Sequence, residues 1–184
     1  MKTRTYTANE TEFFPLYAYT SNVNQFQNSV NRPYGYKVHQ VFHVSKGTGM
    51  LFINGKTYYL EEDDLFYISA NTAHSYAPID NSFSTTYISF FGNDFEKIKS
   101  YYNLKNYAVY KKKSTGEFKT SVQNLYDNRD QAHDVPTLCS ITYSAIITFF
   151  NEALRKQISL IEQVYNYLES NYQKNLCLAD ILTF

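Results

Sequence analysis

The sequence predicts a mainly β domain, an antiparallel barrel or sandwich, followed by α-helices. Three observations carry this. Short β-rich runs separated by turn signals recur roughly every ten residues in the first half of the chain. Asn54-Gly55 stands between two of those runs. Past residue 94 the apolar period lengthens to three and four residues, the spacing of a helix face.

The β-rich runs read KVHQVFHVS, then Gly47 and Gly49; MLFI, then Asn54-Gly55; KTYYLEE; DLFYIS; HSYAPI; and FSTTYISFF, then Gly92. Asn and Gly both tolerate positive φ, so Asn54-Gly55 predicts a type I′ hairpin. The earlier segment FFPLYAYTSN is open to two readings, a first barrel strand or a lid over the barrel mouth. DFEKIKSYYNL predicts a short helix and YAVYKKK a last strand, with Lys111–Lys113 as a solvated turn. GEFKTSVQNLYDNRDQ puts Phe118, Val122, Leu125 and Tyr126 on one helical face. TLCSITYSAIITFFNEALRK follows Pro136 and is apolar nearly all round from Leu138 to Phe150, so it needs cover on more than one side. The barrel is one cover. A second copy of the chain is the natural other, with Ile141, Ile146 and Phe149 shared between barrel and partner helix. SLIEQVYNYLESNYQKN then carries Ile158, Ile161, Tyr165, Leu168 and Tyr172 at helical spacing. Asn175 breaks that helix, and LCLADILTF reads as the start of another.

Composition bounds the function. A chain of 184 residues buries one full core. Seventeen basic and seventeen acidic side chains leave no net charge, so nothing global points to nucleic acid or an acidic membrane. MKTRTYTANETEFF has no signal-peptide apolar region and no run reaches membrane-spanning length, which predicts a cytoplasmic protein without a membrane partner. Cys139 and Cys177, far apart in helical segments, read as thiols of a reducing compartment. Nineteen tyrosines and no tryptophan suit the wall of a wet cavity, and equally suit ordinary β-sheets.

Arg32 to Gly92 resembles the cupin-like effector-binding domain of AraC-type transcription regulators. The shared order is an Arg-Pro-x-Gly opening, a strand, GxG, NGxxYxL, an acidic turn, HxY, and a strand ending near F-x-G. LIEQVYNYLESNYQKNLCLADI resembles the first helix and the start of the second in that family's DNA-binding domain. The resemblance implies a double-stranded β-helix, or jelly roll, then a helical dimerisation hairpin, then the first helix of a helix-turn-helix domain. It divides the chain into an effector-binding barrel with an N-terminal arm at 1–113, a dimerisation segment at 114–157 and a truncated DNA-binding start at 158–184. Arg155, Lys156 and Lys174 are balanced by Glu162, Glu169 and Asp180, so this last segment presents no basic stripe. The chain stops before a recognition helix begins, so DNA contact is expected only through the missing part of a longer parent. Two departures stand out: Asp64 occupies a usual glycine position, and ISANTAH replaces a Pro-rich approach to the histidine.

Alignment on the metal-binding cupin motifs puts Tyr34 and Tyr36 in the places of two histidines and Gln40 in that of the glutamate. Asp64, Ser69 and Asn71 replace glycine, proline and glycine, and His74 alone matches. A divalent ion needs three or four converging N/O donors, so a metal-free barrel without a cofactor is expected. An inward Gln40 turns His39 and His43 outward by strand alternation. Tyr34, Tyr36, Gln40, His74 and Tyr76 would then share the inward face, and donors on aromatic supports suit a saccharide. The resemblance adds Arg32, at the place of an arginine that contacts sugar in arabinose-sensing members. It also adds Thr85 and Tyr87, whose counterparts face the pocket. The same residues have a plainer reading: a satisfied core histidine, packed tyrosines and an arginine capping an edge.

Three functions compete. The favoured one is the non-enzymatic sensing and dimerisation domain of a sugar-responsive regulator, taking a saccharide effector and forming a homodimer. The others are a degenerate barrel serving only as a dimerisation scaffold and a cupin-type enzyme. The last lacks the metal set, an acid–base pair and nucleophile–base spacing.

Overall fold

Strand alternation sorts the β-rich half into two antiparallel sheets. The computed structural model describes residues 2–3, 14–128, 134–155 and 160–173. Its strands are β1 (Lys2–Thr3), β2 (Tyr17–Phe26), β3 (Val30–Arg32), β4 (His39–Lys46), β5 (Gly49–Ile53), β6 (Lys56–Leu60), β7 (Leu65–Ile68), β8 (His74–Pro78), β9 (Ser84–Phe91) and β10 (Tyr107–Tyr110). Its helices are α1 (Phe95–Tyr101), α2 (Glu117–Asn128), α3 (Val135–Leu154) and α4 (Leu160–Asn171). The sheets run β1-β2-β9-β4-β7-β10 and β3-β8-β5-β6. Two units result, Met1–Leu154 and Arg155–Phe184, with α4 in the second. No helix among the described residues is long and apolar enough to cross a membrane.

The mainly antiparallel β domain with C-terminal helices is thus as expected. Asn54 and Gly55 take φ of 50° and 71° between β5 and β6, the conformation their chemistry predicts. Tyr17 onward in FFPLYAYTSN is strand, paired with β9; the residues before Phe14 in that segment lie outside the described ones.

Strands β4, β7 and β9 of the larger sheet each have two faces with different cover. Val41, Leu65, Tyr67, Ile88 and Phe90 join Phe118, Val122, Leu125, Ile146, Phe149 and Phe150 in one cluster, the sheet-to-helix core. Phe42, Val44, Phe66, Ile68 and Tyr87 turn the other way and meet Leu51, Ile53, Leu60 and Tyr76 of the smaller sheet. Strand β2 switches faces by bulging. Ala18 pairs with Phe90 and Thr20 with Ser89, two steps on β2 against one on β9. Ala18 therefore faces the helices while Thr20 reaches the barrel interior.

Several expectations are corrected here. Ile146 and Phe149 are fully enclosed by the chain's own sheet and helices, and Ile141 packs partly on the same cluster. None of Ile146 and Phe149 is left for a partner; the exposed apolar residues of α3 are Tyr143 and Leu154, at 42% and 39%. His39 and His43 do leave the barrel interior, but helices and loops cover them, and His43 is buried. The lysine run is more than a solvated turn. Lys111 Nζ and the Lys112 amide both donate to the Asp64 carboxylate, which is fully buried and also takes the Glu61 amide. The glycine-like backbone belongs to its neighbour Asp63, at φ 67°. Of the last helix, Tyr165, Leu168 and Tyr172 are exposed in the second unit. The expectations on Ile158, Asn175, Cys177, LCLADILTF and the side chain of Ile161 lie outside the described residues.

Candidate ligand cavity

A cavity of about 380 Å³ opens at one end of the barrel. It is lined from β2 and the loop after it (Thr20, Gln25, Gln27), from β3 (Val30, Arg32), and from β4, β8 and β9. Its size falls within the range of small-molecule sites, about 300–1,000 Å³.

Arg32 ends β3 directly opposite His74 on β8, so register places both on one face. From the smaller sheet its Nη1 donates across the barrel to Gln40 Oε1 on β4, at 2.5 Å. The assignment of the amide follows from chemistry, since a guanidinium only donates. Gln40 Nε2 in turn donates to Ser89 Oγ on β9. His74 Nδ1 lies 2.7 Å from the Thr72 carbonyl, which can only accept, so the proton sits on Nδ1. His74 Nε2 is then an acceptor for Arg32 Nη1, at 3.4 Å. Burial holds the His74 pKa below the usual value; the bond to Thr72 opposes this and the Arg32 charge adds to it. The Arg32 guanidinium also lies 4.0 Å above the Tyr36 ring.

A second polar chain borders the first. Tyr76 donates to Gln27 Oε1, and Gln27 Nε2 donates to Thr85 Oγ1 and the Gln25 carbonyl. Burial pushes the Tyr76 hydroxyl up to about 12, so it stays a neutral donor at any ordinary pH. Tyr87 and Phe42 tilt against each other at 5.6 Å and give the cavity its aromatic wall.

Arg32, Tyr36, Gln40, Tyr76 and Tyr87 therefore line one cavity. His74 and Thr85 sit behind this lining, each bonded to a lining residue. Tyr34 does not join them. Residues 32–35 form a turn, closed by the Gly35 amide on the Arg32 carbonyl, and Tyr34 at its tip is 92% exposed. Gly35 takes φ 78°, and a Cβ there would run into the Asn71 backbone. Motif alignment expected Tyr34 on an inward strand face, but residues 33–38 are not strand.

Sequence reasoning missed Thr20, Gln25, Gln27, Asn28 and Ser89. Ser89 was within reach, two residues past Tyr87 on the same strand. The β2 residues were not, because a second bulge, between Asn22 and Gln25, again breaks the alternation. Among the described residues, no three His, Cys, Asp or Glu side chains cluster as a metal would require.

Several solved structures show a distant similarity to the chain. ToxT from Vibrio cholerae aligns over 89% of this chain and 69% of its own, at 13% identity and a TM-score of 0.45. The AraC-like transcriptional activator CuxR aligns over 82% of this chain and 57% of its own, at 11% identity and a TM-score of 0.39. A cupin 2 conserved barrel protein from Salinispora arenicola aligns over 43% and 65%, at 13% identity and a TM-score of 0.31. At such scores none of them decides the family. No curated protein sequence matches the chain. The family follows from the sequence itself: residues 24–138, which include every cavity strand except the start of β2, match the AraC-like ligand binding domain, and the chain belongs to that family.

Proposed function

We propose that this chain is the sensing and dimerisation domain of a sugar-responsive transcription regulator of the cytoplasm, non-enzymatic, with a saccharide held in the barrel. The observation that carries this reading is Arg32, held in place by Gln40, His74 and Tyr36 at the wall of a cavity rich in hydroxyl and amide groups. Fixed donors beside aromatic faces match a polyhydroxylated ligand, whose hydroxyls need partners and whose C–H faces need rings. One ToxT structure is bound to an unsaturated fatty acid. A fatty tail suits this cavity poorly, because Thr20, Gln27, Gln40 and Ser89 would face it without water.

Transmission would run through β2. One face of this strand lines the cavity, and it packs against α2 and α3 with the other. A ligand shifts the arrangement of those helices only by its difference in affinity between two states. A homodimer would form through the outer face of α3, with Tyr143 and Leu154 in place of the enclosed Ile146 and Phe149. DNA contact would belong to the domain that begins with α4. Tyr143→Glu should then convert a sedimenting dimer into soluble monomer; an unmodified chain that sediments as monomer contradicts the dimer.

One observation favours a second reading, the scaffold. The Arg32–Gln40 bond joins the two sheets, a structural role requiring no ligand. A thermal-shift series with mono- and oligosaccharides separates the two, since a ligand that binds only the native state raises the melting temperature by mass action.

A further inference from the structure

We propose that the effector is a sugar acid, its carboxylate held side-on by the Nε–H and Nη2–H edge of Arg32; this rests on the saccharide reading and narrows it. The charge balance of the cavity is the first ground. Arg32 is the cationic residue of the lining, and among the described residues no Asp or Glu lines the cavity with it. Every group that holds Arg32 is neutral: the Gln40 amide oxygen, His74 Nε2 and the Tyr36 ring face. Among the described residues, the cavity therefore keeps a full positive charge with no carboxylate opposite it.

The second ground is which part of the guanidinium remains. Its five donors form a rigid planar fork. Both Nη1 protons are engaged, one by Gln40 and one by His74. Tyr36 covers a face. Among the described residues, what is left is the parallel Nε–H and Nη2–H pair, whose spacing matches the two oxygens of a carboxylate. A sugar hydroxyl engages only part of such an edge, whereas a carboxylate engages both donors and cancels the charge.

The rest of the lining explains why the anion should also be polyhydroxylated. Thr20, Gln27, Asn28 and Ser89 extend away from Arg32 as donors and acceptors, with Tyr76 and Tyr87 as ring walls. Lys37 stands nearby, 5.0 Å from the ring of Tyr19, which in turn meets Tyr36 edge-on. That places a second cation on the Tyr36 side of the site, favouring approach of an anion.

Isothermal titration of the whole chain would use matched pairs: galactose with galacturonate and galactonate, glucose with glucuronate and gluconate, and arabinose with arabinonate. Octanoate serves as an acid without hydroxyls. At least one sugar acid should bind roughly 10- to 100-fold more tightly than its neutral partner, the worth of a charge-assisted pair. The preference should shrink as salt rises. Arg32→Gln should abolish it, and Arg32→Lys should keep part of it while losing the bidentate geometry. Should Arg32→Gln fold poorly, the lysine variant and the salt series still decide. A neutral sugar binding as tightly as its acid overturns the sugar-acid inference and leaves the saccharide reading standing. Octanoate binding without any sugar or sugar acid overturns both, as does the binding of none of these ligands.

Discussion

Strands β4 and β9 each present two faces, and the two are built to opposite ends. Toward the helices, Val41, Ile88 and Phe90 meet Phe95, Phe149 and Phe150 with their apolar surface enclosed. Even a histidine on that side is made part of the core. His39 lies against Phe90 and Phe95, and its Nδ1 accepts the Ala70 amide, which leaves no place there for a second proton. Toward the barrel mouth, the same strands offer Gln40, Tyr87 and Ser89, hydrogen-bonded yet lining open space. The first face is packed along its whole length, while the second packs Phe42 and Val44 on the smaller sheet and at the mouth keeps donors available beside the charge that Arg32 brings from β3.

The sharpest break of this contrast is a cavity cut into the helix side. Phe149 is fully buried, so Phe149→Ala should cost about 3–5 kcal/mol, a large share of the stability of a domain this size, in urea unfolding. Ser89→Ala on the cavity side should cost about 1 kcal/mol or less. Similar losses from the two would remove the distinction.

Acid should act on the helix side next. Burial, with a smaller contribution from Lys99, depresses His39 to about 4 from the model-peptide value near 6.5. The unfolded chain therefore binds a proton that the folded chain refuses. Stability is full above pH about 6.5 and declines as pH falls toward 4, by on the order of 3 kcal/mol from this residue. Denaturant titrations across that window measure the slope, and His39→Phe should flatten it. An unchanged slope in the variant would mean that His39 is not held neutral by the core.

The smallest effects are expected at the cavity wall. Tyr87→Phe should weaken effector binding by about 0.5–1.5 kcal/mol, the worth of one hydrogen bond. Tyr87→Ala should weaken it further, because the ring face goes too. Equal losses from the two variants would assign all of the contribution to the hydroxyl.

What the sequence made legible follows the same division. Period-two alternation within a continuous strand set Gln40 against His39 and His43, as the structure has it, and the family resemblance supplied Tyr87, which lines the cavity. The Asn54-Gly55 hairpin and the helical face of Phe118, Val122 and Leu125 were local signals, and local chemistry decides them. The pattern failed wherever geometry interrupts a strand. Tyr34 rides a turn rather than a strand, and two bulges carry Thr20 and Gln25 across faces that alternation cannot follow. Pairings distant in sequence were equally hidden. Nothing in Lys111–Lys113 announces that the run closes over a buried Asp64, and nothing in α3 tells which apolar residues α2 and the sheet will enclose.

Arg32 reaches that second face from β3 across the barrel, and Arg32→Ala, scanned for melting temperature with and without saccharides and sugar acids, tests its role most directly. The unmodified chain should gain melting temperature with rising concentration of a matching sugar ligand. The variant should fold with a nearly unchanged unliganded melting temperature and lose affinity by about 1.5–3 kcal/mol, the range for a charge-assisted hydrogen bond. If no sugar ligand shifts the unmodified chain and Arg32→Ala unfolds it unliganded, Arg32 is a tie between the sheets and the barrel is a scaffold.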